Sequence, residues 1–152
     1  MKLTRASTYA LHAVAHMTAR DEGKPLASQK IAESEGIPER FLLKVLKPLV
    51  GAQVLRSLKG PHGGYRLAKG PEQIHLIDVV EVFDAPGAKP ACLLGEGECT
   101  DDDACSAHHA WKEVRAAYIR FLESTTLADI SKRRGVQGVQ VRLSSLTDLP
   151  GG

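Results

Sequence analysis

The chain has 152 residues, 43% of them hydrophobic and 25% charged, and a formal net charge of +2. That length supports one compact core with an extension rather than two full domains. No charged leader with a following apolar run opens it, and no apolar stretch reaches the ~18 residues of a membrane span, so a cytoplasmic protein with no membrane partner is expected.

The net charge hides a division. Residues 1–70 carry 12 Lys and Arg against 5 Asp and Glu, leaving 8 against 13 for residues 71–152. A basic first half suits a polyanion, and an acidic second half suits some other task. In the first element, Leu3, Ala6, Ala10, Val14 and Met17 recur at steps of three and four, as the inward face of an amphipathic helix requires. DEGKP at 21–25 ends that helix, and His12 and His16, four residues apart, read as part of its polar face.

SQKIAESEG then predicts a short helix N-capped by Ser28, carrying Ile31 and Ala32 inward and turning at Gly36. A second helix begins near Pro38, whose missing N–H suits a first turn, and Glu39 complements its dipole. Phe41, Leu42, Val45, Leu46 and Leu49 form the inward stripe. The outward stripe, Arg40, Leu43, Lys44 and Lys47, suits a recognition helix in a DNA major groove. Pro48 removes a hydrogen bond and crowds the preceding turn, so the helix is expected to kink or end near Lys47.

VLRSLKGPHGGYRLAKG alternates around a turn rich in Gly and Pro and predicts a hairpin, the wing of a winged helix-turn-helix domain. Arg56, Lys59, His62 and Arg66 surround its tip with phosphate donors. The candidate DNA contacts are Ser28, Gln29, Arg40, Leu43, Lys44, Lys47, Arg56, Lys59, His62 and Tyr65. Arg40 and Lys44 would read bases or anchor phosphate, Lys47 and Arg56 would hold phosphate, and Leu43 would touch a thymine methyl. The same fold could instead serve a protein-binding adaptor whose cations are merely solvated.

CLLGEGECTDDDACSAHHAW, residues 92–111, holds all three cysteines in a C-x6-C-x5-C spacing, with His108 shortly after. An odd number of thiols without an export signal argues against disulfides. Cys92, Cys99, Cys105 and His108 could hold an iron–sulfur cluster, 2Fe–2S favoured over 4Fe–4S, since histidine can replace cysteine in such clusters. Zinc is the chemical rival, although close C-x2-4-C pairs are lacking. Bare redox thiols are the third reading, and nearby carboxylates disfavour their thiolate form. Glu96, Glu98, Asp101, Asp102 and Asp103 read as a solvated loop, and His109 would point about 100° away from His108 on a helix.

Trp111, Val114, Arg115, Tyr118, Phe121 and Leu122 then recur at helical spacing and leave a broad face of large side chains that one small domain would struggle to cover. TLADI follows at 126–130, and the tail, with weak alternation at Val139, Val141 and Leu143, offers little for a core. No nucleophile arrangement, P-loop or Rossmann fingerprint supports an enzyme.

MKLTRASTYAL, IAESEGIPERFL, KGPHGGYRLAKGPEQIHLIDVVE and the cysteine segment ending in HHAW together resemble the Rrf-two family of bacterial winged-helix transcriptional regulators, of the IscR and NsrR kind. The likeness runs from Met1 to about Ile130. It implies a mainly α fold with a small β wing, a homodimer paired through a long C-terminal helix, and in many members an iron–sulfur cluster with a histidine ligand at the position of His108. Thr8 stands where NsrR-like relatives supply an aspartate ligand, and the first cysteine spacing is one residue longer than the commonest pattern. Lys59 stands where relatives often carry an arginine for the minor groove.

The resulting organisation is a winged helix-turn-helix domain at 1–85, a cysteine loop at 86–106, a dimerisation helix with its following segment at 107–130 and a tail at 131–152. The expected function is regulation, by default repression, at a pseudo-palindromic operator in double-stranded DNA, with affinity set by a cluster that senses redox, nitric oxide or iron status. The alternatives are a cluster-free thiol or zinc regulator, an adaptor, and an iron–sulfur carrier or electron-transfer protein.

Overall fold

Thr4, in extended conformation, caps the first helix by accepting the Ser7 N–H at 3.2 Å. Its own N–H donates to Asp84 Oδ2 at 3.0 Å, so a residue far along the chain also holds this end. The computed structural model describes residues 3–20, 23–86, 92, 100–102 and 104–131. The tail, with its weak alternation at Val139, Val141 and Leu143, lies outside them.

Helix α1 (Arg5–Ala19) buries Ala10, Ala13, Val14 and Met17, the face its periodicity predicts. Helices α2 (Ser28–Glu35) and α3 (Glu39–Gly51) are joined by a tight turn at Gly36, whose φ of 65° is the left-handed conformation that glycine adopts without strain. Ile31, Leu42, Leu46 and Leu49 are fully buried between the three helices.

Four details differ from the pattern. Ser28 is the first residue of α2 and not its cap; Ala27 holds the cap position, and Ser28 Oγ donates instead to Glu39 Oε1 at 2.8 Å, tying the starts of α2 and α3 together. Pro48 does not end α3, which runs on to Gly51. It lies on the exposed side, where water can solvate the carbonyl left unpaired, and its own carbonyl accepts the Ala52 N–H at 2.9 Å. Phe41 is 44% exposed, outside the buried stripe at Leu42, Val45, Leu46 and Leu49, and lines an open apolar groove with Tyr9, Val45, Pro48 and Phe83.

The fourth concerns the α1 histidines. His12 Nδ1 and His16 Nδ1 pair with the two oxygens of Glu35, at 3.0 and 2.9 Å, and His16 is buried. They form a polar clamp between α1 and α2 rather than a solvated face.

The wing is an antiparallel pair, β1 (Leu55–Leu58) and β2 (Gly64–Leu67), in the register Leu55↔Leu67, Arg56↔Arg66, Ser57↔Tyr65, Leu58↔Gly64. Leu26 and Tyr65 exchange both backbone hydrogen bonds at 2.8 Å, docking the wing on the segment before α2. Gly64 has a φ of 144°, and a Cβ there would collide with the Leu26 carbonyl, so only glycine permits this approach.

The chain returns through α4 (Leu76–Val80) and then α5 (His108–Ser124) and α6 (Leu127–Ser131). The Leu76 N–H donates to the Thr125 carbonyl and the Leu127 N–H to the Ile74 carbonyl, both at 2.9 Å. Leu122 and Leu127 complete the core, with Tyr118 packed at its edge. The large face of α5 is thus divided: one row lies on its own domain, while Val114 and Phe121 stay 50% and 53% exposed. No helix among the described residues is long and apolar enough to cross a membrane.

Glu35→Ala removes the carboxylate shared by a buried and an exposed imidazole. It is expected to lower stability in urea unfolding by about 1–3 kcal/mol. His12→Ala, at the pair's exposed end, should cost no more than about 1 kcal/mol.

Candidate functional site

Packing decides which side of α3 faces outward. With Leu42, Val45, Leu46 and Leu49 buried, Arg40, Leu43, Lys44 and Lys47 are all left exposed, as the pattern predicts. Phe41 stands among them. Arg40 lies over its ring at 5.2 Å and Lys44 at 5.8 Å, so the aromatic face steadies two cations that would otherwise repel each other. Gln29 is exposed and donates to Glu33 at 3.1 Å, and Ser28 lies beside it at the start of α2.

On the wing, Arg56, Lys59 and His62 are exposed, whereas Tyr65 is half-buried against the core. Arg66 faces Arg56 directly across the strands, so both guanidinium groups share the outer face. Like charges directly opposite are unfavourable in water, and a phosphate placed between them would remove that cost. Arg66, a phosphate donor by its place near the turn, is set opposite Arg56 by the strand register, which the turn length alone left open.

The second site is at the head of α5. The His108 N–H donates to the Cys105 carbonyl at 3.0 Å, which holds the thiol-bearing residue and the imidazole-bearing residue in one turn. Cys105 is exposed and Cys92 half-buried; Cys99 lies outside the described residues. His108 is 2% exposed, and its Nε2 lies 2.7 Å from Asp101 Oδ1. His109 is exposed, its ring edge-on to His108 at 5.4 Å.

Asp101 belongs to the acidic run read as a solvated loop, yet it anchors this turn. It accepts Lys112 Nζ on both oxygens, at 2.9 and 3.0 Å, as well as His108. Lys112 first, and His108 second, hold its carboxyl below the ordinary 3.8. Asp102 is exposed; Glu96, Glu98 and Asp103 lie outside the described residues. Arg115 Nη2 also donates to the Pro86 carbonyl at 3.2 Å, fastening α5 to the end of the winged-helix segment. Among the described residues no three His, Cys, Asp or Glu side chains converge as a metal site.

The family model described as Rrf2, iron-dependent transcriptional regulator, matches residues 3–133. The chain belongs to the Rrf2 family. An Aquifex aeolicus relative, named as an HTH-type transcriptional regulator, is 36% identical over 124 residues, covering 80% of this chain and 85% of its own. Among solved structures, CymR, the global cysteine regulator of B. subtilis, is similar with a TM-score of 0.75 and 25% identity over 87% of this chain and 97% of its own. IscR of T. potens is similar with a TM-score of 0.72 and 25% identity over 92% and 93%. This Rrf2 protein is a winged-helix, DNA-binding transcriptional regulator and not an enzyme.

Because its folded carboxyl lies below 3.8, the Asp101 contact contributes above that pH and fades as pH falls through the lower folded value. Lys112→Ala should move the Asp101 titration, followed by carbon NMR, up toward 3.8. An unmoved midpoint would show that Lys112 does not hold the loop.

Proposed function

We propose that this Rrf2 regulator is a homodimer that represses transcription at a pseudo-palindromic operator, with affinity governed by an iron–sulfur cluster on Cys92, Cys99, Cys105 and His108. The observation that carries the reading is His108: a buried imidazole, oriented by a carboxylate, one turn after a cysteine and at the head of a helix bound at both ends to the winged-helix domain. Metal-binding histidines characteristically donate their second nitrogen to such a carboxylate.

The donor set fits the group by its chemistry, since thiolates with one imidazole suit iron–sulfur ligation and 2Fe–2S clusters accept histidine. When bound, the cluster would supply a redox-active and nitric-oxide-reactive centre; zinc, on the same four residues, would supply structure alone. The likeness to IscR supports the cluster, and the likeness to CymR together with the exposed Cys105 supports a cluster-free thiol regulator as the second reading.

The chain's own part is mechanical. The loop at 86–106 joins the winged helix to α5, so a change in what its thiols hold pulls on the head of α5. The Arg115 contact with Pro86 and the bonds at Thr125 and Leu127 carry that pull to the winged helix. Val114 and Phe121 form the exposed row that a second copy of α5 would cover. In such a dimer two α3 helices would enter successive major grooves about 34 Å apart. Arg40 and Lys44 would meet bases or phosphate, Lys47, Arg56, Lys59 and His62 phosphate, and Leu43 a thymine methyl, with Ser28, Gln29 and Tyr65 at the edge of the contact.

Anaerobic purification followed by visible absorption, iron, acid-labile sulfide and zinc per chain tests the reading. Charge-transfer bands with about two iron and two sulfide per chain support it; stoichiometric zinc without colour, or bare thiols resistant to reconstitution, overturn it. Cys99→Ala is expected to abolish the absorption and change operator affinity while leaving the fold intact by circular dichroism. Lys44→Ala should weaken duplex binding and lower its salt slope by about 1, measured by titration at several salt concentrations.

A further inference from the structure

We propose that the groove between α1 and α3 is an effector site for a small aromatic carboxylate, and that filling it weakens operator binding. The second half rests on the α3 contact of the reading above, and neither half rests on the cluster. The groove has a volume of about 430 Å³ and a mainly apolar lining, the size and character of small-molecule sites. Tyr9 from α1, Phe41 from α3 and Phe83 from the turn after α4 contribute three rings, to which Ala6 and Val45 add aliphatic surface. Phe41 is 44% exposed, so a flat aromatic body laid against it would take apolar area out of water.

The charge at the groove has one sign. Arg5 and Lys44 are the charged side chains of the lining, and no carboxylate lines it. Asp84, which follows Phe83, is committed to the Thr4 N–H at 3.0 Å and is not part of the lining. Arg5 and Ala6 are the first two residues of α1, so the positive end of that helix adds to the same field. An amine would be repelled there and an uncharged molecule would leave the two cations unanswered. Complementarity therefore selects an anion, and the rings select an aromatic one.

Lys44 joins the groove to the DNA face. It is exposed on α3 among the outward cations, yet its Nζ lies 5.8 Å from the Phe41 ring centre. A carboxylate in the groove would compete with DNA phosphate for that ammonium and would place a negative charge beside the recognition helix. Ligand and operator then oppose each other, and by linkage each weakens the other by the same factor.

The test uses the full-length protein with hydrocinnamate as the probe, and with hydrocinnamide and phenethylamine as its uncharged and cationic counterparts. Proton–carbon NMR is expected to show saturable shifts at the Ala6 and Val45 methyls and the Phe83 ring, with a dissociation constant of about 1 mM or tighter. Hydrocinnamide should bind about 5-fold more weakly or worse, and phenethylamine not at all. Operator affinity, followed by fluorescence anisotropy at fixed salt, should fall about 5-fold at saturation, and saturating operator duplex should weaken hydrocinnamate equally. Arg5→Gln should remove the preference for the acid over the amide, and Ala6→Leu, which fills the groove, should weaken both. No saturable shift below about 10 mM, equal binding of the three probes, or shifts confined to other residues overturn the site. Groove signals that respond to dilution of a dimer but not to the probe would give the groove to a second copy and overturn it as well. Binding with unchanged operator affinity overturns the coupling; where Lys44→Ala also leaves operator affinity unchanged, the α3 contact of the reading above has failed with it.

Discussion

Two backbone hydrogen bonds, from Leu76 N–H to the Thr125 carbonyl and from Leu127 N–H to the Ile74 carbonyl, join the halves of this regulator. They pass where α5 meets α6 and where the wing meets α4, and Leu76, Leu122, Leu127 and Ile74 are buried around them. Backbone pairs sealed from water resist opening, because each broken bond would leave an unsatisfied polar group in an apolar surrounding. The far end of α5 is therefore a fixed point, and the helix that carries His108 is held again nearer its head by the Arg115 contact with the Pro86 carbonyl.

The basic first half and the acidic second half acquire separate meanings from this arrangement. On the winged helix, burial of one side of α3 leaves Arg40, Lys44 and Lys47 on one exposed surface, and strand register adds the facing Arg56 and Arg66. Positive charge is concentrated there, as binding to a polyanion requires. In the second half at least one acid has a specific partner set: Asp101 spans His108 and Lys112 and organises the first turn of α5.

Periodicity made the helices, the turn at Gly36 and the hairpin legible, because repeats of three to four or of two residues report directly which side is buried. The departures share one cause, that position relative to another element is not periodic. Phe41 fits the apolar stripe by spacing, yet it lies at the edge of that stripe and lines an open groove with Tyr9 and Phe83 from other elements. Ser28 has the chemistry of a cap, but Glu39 arrives from the next helix to accept its hydroxyl. Pro48 does not break α3 because the carbonyl it orphans lies toward water. His12 and His16 look solvated until Glu35 arrives from α2.

By itself the sequence determined the winged helix-turn-helix, the outward cations of α3, the thiol spacing and the Rrf2 likeness, since each is written in residue type and in separation along the chain. Only the tertiary structure decided that Asp101 grips the buried His108, that Arg66 faces Arg56, and that α5 divides its apolar residues between its own core and an exposed row. Those features are contacts between residues brought together by folding, and linear spacing carries no information about which distant side chain will supply the other half of a hydrogen bond or cover an apolar face.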